Sequence, residues 1–162
     1  MSTYTVSMQN QTIIASSDMV IIHTDSTVAT AGSNIRILRA WVGQQASETS
    51  DQLGVMIALK ASAFGTYTST TPINHFPGGA TSLVGGTAGA EGTCGTDASA
   101  EGAGTVTPII YDGFNNLNGW LWVPTPEEQI IVPTDTAIVL AMVGTATTLT
   151  NWNAGITFEE LN

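Results

Sequence analysis

Thr136-Ala-Ile-Val-Leu-Ala-Met-Val143 (residues 136–143) is the stretch on which the fold turns. It is long enough to be mistaken for two turns of buried helix. Its β-branched content and its start after the turn signal Pro133-Thr-Asp135 make it a strand instead. Successive strand side chains point to opposite faces. An extended segment apolar at nearly every position therefore has to be covered on both sides, as in the middle of a sandwich.

Similar segments lie on both sides of it. Residues 19–24 and 34–42 are β-branched runs, and in 53–60 Leu53, Val55, Ile57 and Leu59 fall on one face. Residues 106–111, 118–123, 129–132 and 154–158 continue the series, and 3–8 reads as an N-terminal strand. Each is short and bounded by Gly, Pro, Asn or Asp, and no segment sustains a helical period. The expectation is an all-β, antiparallel β-sandwich of about eight or nine strands, jelly-roll-like. At 162 residues it forms a single domain over 1–162. Within it, 77–107 (PGGATSLVGGTAGAEGTCGTDASAEGAGTVT) reads as a long Gly/Ala-rich loop, an insertion or arm that becomes ordered against another surface. Such a segment suits binding and covering, not catalysis.

Charge narrows the partners. Thirteen carboxylates face Arg36, Arg39 and Lys60, a formal net charge of −10, and only 10% of residues are charged. Affinity for a nucleic-acid backbone comes mainly from Lys and Arg, and the same holds for anionic membranes. Neither partner is expected. The N-terminus has no signal-peptide pattern and no run approaches a membrane-spanning length, so a cytosol-like compartment, or exit by lysis, is expected. Cys94 has no partner for a disulfide and no neighbouring cation to activate it.

Catalytic constellations are weak. His23 and His75, with Asp18, Asp25 or Asp112, lack any metal-ligand spacing. Gly85-Gly-Thr-Ala-Gly89 lacks the lysine of a phosphate loop, and no GxSxG motif occurs. Glu127-Glu128 and Glu159-Glu160 are adjacent pairs, which a strand would send to opposite faces. Asp97 with Glu91 and Glu101 is the one candidate set for calcium. No enzyme activity, cofactor or metal is expected. The aromatic residues are more suggestive: Trp120 and Trp122 share a strand face, suiting a core face, a sugar-stacking platform or an interface hot spot. Trp41 falls on the alternation of Ile35, Ile37 and Arg39, so Arg39 would stack on it or reach an interior carboxylate.

The segments IRILRAWVGQQASETSDQLGVMIALKASAFGTYTSTTP (35–72), TAGAEGTCGTDASAEG (87–102), FNNLNGWLWVPTPEEQIIV (114–132) and LTNWNAGITFEEL (149–161) together resemble small proteins encoded near the structural genes of tailed bacteriophages, of the head decoration (cement) type. The resemblance implies a virion structural protein on the capsid surface, assembled in the host cytoplasm. Its partner would be the major capsid protein, and it would act as a homo-oligomer, a dimer or trimer. The interface candidates are Gly85, Gly86, Gly89 and Gly92 on the glycine-rich run and Trp120 and Trp122 beside it. The alternative is a carbohydrate- or receptor-binding β-sandwich of a phage tail or fibre, with Trp120 and Trp122 stacking on the sugar.

Overall fold

A computed structural model describes residues 2–24, 34–82, 84 and 94–161. The described residues form twelve strands: β1 (Thr3–Gln11), β2 (Asp18–His23), β3 (Asn34–Gln44), β4 (Gln52–Ala61), β5 (Thr66–Ser69), β6 (Ile73–Asn74), β7 (Cys94–Ala100), β8 (Thr105–Asn115), β9 (Trp120–Trp122), β10 (Ile131–Val132), β11 (Ala137–Val143) and β12 (Trp152–Leu161). They make two antiparallel sheets that pack together. Sheet A runs β10-β3-β12-β1-β6, with β9 pairing on β3 as well, and sheet B runs β5-β7-β2-β11-β4-β8.

Between the sheets, alternate residues of β1 (Tyr4, Val6, Met8) and of β12 (Trp152, Ala154, Ile156, Phe158) meet Val55 and Ile57 of β4 and Ile138, Leu140 and Met142 of β11. Tyr4 stacks on Phe158 at 5.7 Å between ring centroids, and Phe114 meets Trp152 edge-on at 6.3 Å. Residues 137–143 are the central strand β11, and both of its faces are indeed covered. Its outward side chains, Ala137 and Val139, join Ile21 and Ala58 in a second cluster, against which Met56, Phe64 and Tyr67 pack. Phe64 and Tyr67 come from the connection after β4 and from β5, so the chain folds back over its own sheet.

The glycine-rich run is not all loop, which corrects the expectation for 77–107. Cys94–Ala100 is a strand, β7, which pairs with β2 and carries β5 on its other edge. Cys94, Thr96 and Ala98 are buried, and Ser82 and Val84 are buried too. Small residues hide this strand from a propensity argument, but they are there for packing. A Cβ on Gly95 would lie 1.8 Å from Cδ2 of Tyr67, so the Tyr67 ring occupies the space a side chain would need.

Candidate interaction surface

The outer face of sheet A is set by a β-bulge. Thr157 pairs with Arg39 and Phe158 with Ile37, leaving Leu38 as the extra residue of β3. The extra residue reverses the alternation. Ile35 and Ile37 point inward before it and Ala40 and Val42 after it, so Arg39 and Trp41 stand on the outer face. This corrects the sequence-based placement of both with Ile35 and Ile37. The expected stacking does occur: the Arg39 guanidinium lies 4.5 Å from the Trp41 ring centroid. Trp41 in turn leans over Gly155 of β12, where a Cβ would come within 2.1 Å of the indole.

Two short strands extend this face. Leu121 of β9 sits opposite Trp41, and Ile131 of β10 sits opposite Arg36. Leu121 and Val123 are each 63% exposed and Ile131 is 54% exposed. Arg36 contacts Glu159 at 3.5 Å in an open pair worth little stability. Lys60 is buried against Asp18, so Arg36 and Arg39 are the two side-chain cations that reach the surface. Both lie on this face of a protein with a net charge of −10.

Trp120 and Trp122 point the other way. Both are half-buried and pack against the core, and the Trp120 indole N–H donates to Asp112 Oδ2 at 3.1 Å, tying β9 to β8 across the sandwich. They support the exposed face from beneath and do not form an open stacking platform. The tryptophan on the outer face is Trp41, itself half-buried. Along β3, Arg39 lies on one side of it, and on the other is an open cleft of about 500 Å³ lined by Ser7, Met8, Gln9, Asn10, Trp41, Gln45 and Asn153. No charged side chain lines this cleft. The Asn10 backbone N–H donates to Asn153 Oδ1 at 3.0 Å and holds one wall.

The remaining candidates are dispersed. Gly85, Gly86, Gly89, Gly92, Asp25 and Glu91 lie outside the described residues. His23 is buried with its ring 4.1 Å from that of Phe64, while His75 meets the Thr5 hydroxyl at the surface, 2.7 Å away. Glu127 and Glu128 sit exposed on a single 3-10 turn. Glu159 faces outward to Arg36, whereas Glu160 is buried and accepts from the Ser82 hydroxyl at 2.6 Å. Burial raises the Asp97 carboxyl above its usual range. Burial also pushes the Cys94 thiol far up, and its Sγ–H donates to the Val84 carbonyl at 3.2 Å. Among the described residues, no three His, Cys, Asp or Glu side chains are placed to hold a metal.

Sequence reasoning missed Leu121, Val123 and Ile131, because isolated apolar residues in strands read as core. It named Asp18 and Glu101 only as candidate metal ligands and missed that they meet Lys60 beneath the loops covering sheet B. The available signal was a single lysine within an apolar strand. Comparison with known proteins found no matching family model, curated protein or solved structure.

Proposed function

We propose that this chain is a non-enzymatic virion structural protein, a head decoration protein that binds the major capsid protein on the outer surface and stabilises the shell. The observation that carries this reading is the makeup of one face. Arg36 and Arg39 stand there with Trp41, Leu121, Val123 and Ile131, on a molecule otherwise dominated by carboxylates. Arginine and tryptophan at the centre of an apolar patch are the residue types that dominate binding energy at protein interfaces. An acidic remainder keeps the free protein soluble and selects against wrong docking orientations.

The fold is read here as a jelly roll. With β9 and β10 taken together as one strand, the core strands in chain order are β1, β2, β3, β4, β8, β9/β10, β11 and β12. Sheet A then has the order 1-8-3-6 and sheet B the order 2-7-4-5, and β5, β6 and β7 are additions between the fourth and fifth core strands. A dimer or trimer would match capsid symmetry axes, and sedimentation of the free protein separates the two. The deciding experiment is quantitative mass spectrometry of purified particles. The chain should appear in a fixed ratio to the major capsid protein, and the double variant Arg39→Glu, Leu121→Asp should be lost from particles. Absence of the wild-type chain from particles ends the proposal.

The cleft beside Trp41 favours a second reading, a carbohydrate- or receptor-binding module of a phage tail or fibre. An indole beside the neutral amides of Gln9, Asn10, Gln45 and Asn153 suits a neutral sugar, whose C–H face stacks on the ring while its hydroxyls bond to the amides. An array of neutral oligosaccharides should then give binding that Trp41→Ala abolishes. A blank array removes this reading.

A further inference from the structure

The only lysine in the chain, Lys60, is placed where a lysine is least expected. Its side chain is 1% exposed, and Nζ lies 2.6 Å from Oδ2 of Asp18, itself 4% exposed. Nζ also donates to the backbone carbonyl of Glu101. The Glu101 carboxyl accepts the Asp18 backbone N–H at 2.5 Å, which sets it beside the same pair. The site therefore holds an amine, a carboxyl in contact with it, and a second carboxyl anchored on the Asp18 backbone, from a residue whose own carbonyl accepts from the amine.

We infer that Lys60 and Asp18 join in an intramolecular isopeptide bond, with Glu101 as the proton carrier. A proton passes from Lys60 to Asp18 across their contact, leaving a neutral amine beside a neutral carboxylic acid. Nζ attacks Cγ of Asp18, and Glu101 takes the proton from the nitrogen and delivers it to the departing hydroxyl. The Cγ–O bond breaks, the Nζ–Cγ amide forms, and one water leaves; nothing is oxidised or reduced. Two features favour this step. Fixing both groups in contact makes a slow bimolecular condensation effectively unimolecular. The product is a neutral amide in place of two buried ions, which removes the desolvation cost of keeping them charged. The bond would link β2 to β4 across β11 and close a loop spanning 42 positions in sequence.

The test is intact-mass measurement of the denatured full-length protein, followed by peptide mapping. The expected mass is the sequence mass less one water, with a branched peptide joining residues 18 and 60 and faster migration on a denaturing gel. Lys60→Arg should restore the full mass. Asp18→Asn should still crosslink but lose ammonia instead of water, and Glu101→Gln should slow crosslinking by about a hundredfold or more. The full sequence mass in the wild type overturns the inference. A water lost at Asp112-Gly113 as a succinimide, with no branched peptide, overturns it equally.

Discussion

Replacing Gly155 by alanine tests how the outer face of sheet A is built. The new Cβ would lie 2.1, 2.4 and 2.7 Å from Cζ2, Cη2 and Cε2 of Trp41. Carbon contacts relax near 3.5 Å, so the indole must move by about 1.4 Å or more. That displacement breaks the stack with Arg39, now 4.5 Å from the ring centroid, a loss of about 0.5–1 kcal/mol for an exposed cation–π pair. Against it, removing a glycine from a strand interior recovers about 0.5–1 kcal/mol of backbone entropy. The two terms nearly cancel. Urea denaturation should therefore give a stability within about 1 kcal/mol of wild type, because the outer ring can swing into solvent where a core ring could not. The Trp41 indole N–H resonance, assigned with Trp41→Phe, should shift and lose its contacts to Arg39. Particle occupancy should fall with it. A destabilisation above about 3 kcal/mol, the upper range for overpacking a core, would mean that Trp41 is locked in place and that the face is not the adaptable surface described. An unshifted indole resonance would refute the geometry directly.

Three further expectations follow from the packing. Trp152→Ala removes one of the largest fully buried side chains and should cost about 3–5 kcal/mol in denaturant unfolding; a loss below 1 kcal/mol would remove Trp152 from the core. Deleting residues 79–104 takes away β7, Val84 and the Glu101 contacts, so the truncated chain should bind a hydrophobic dye and aggregate; a soluble, cooperatively unfolding product would return the segment to the status of a dispensable arm. Glu101 titrates above the usual glutamate range, chiefly because it is buried. A carboxyl whose pKa is raised on folding binds its proton more tightly in the native state, so its contribution is complete below the unfolded value of about 4.3 and is lost as pH rises through the folded one. Glu101→Gln should flatten the part of the stability–pH profile just above that value, and an unchanged slope there would remove Glu101 as its source.

Local signals carried much of the architecture. Alternation in 53–60, the doubly apolar run 137–143 and the Gly, Pro and Asn boundaries identify nine of the twelve strands, since period and turn chemistry are written in neighbouring residues. The other three, β5, β6 and β7, were not legible. β7 is made of small residues whose partner is the Tyr67 ring, and no rule of propensity anticipates a ring that fills a glycine's space from another strand. The site was less legible still. One extra residue at Leu38 decides that Arg39 and Trp41 face solvent, and a bulge is a property of pairing with β12, not of β3 alone.

The amino-acid sequence by itself determined a β-sheet protein with an acidic surface and few cations, because periodicity and charge are additive over residues. Tertiary structure decided where the scarce charges went. Arg36 and Arg39 share one face with exposed leucine, valine and isoleucine, while Lys60 is enclosed with Asp18 and Glu101 under sheet B's covering loops. Those placements depend on register and on loops that return from far along the chain, and both are contacts between residues that are distant in sequence.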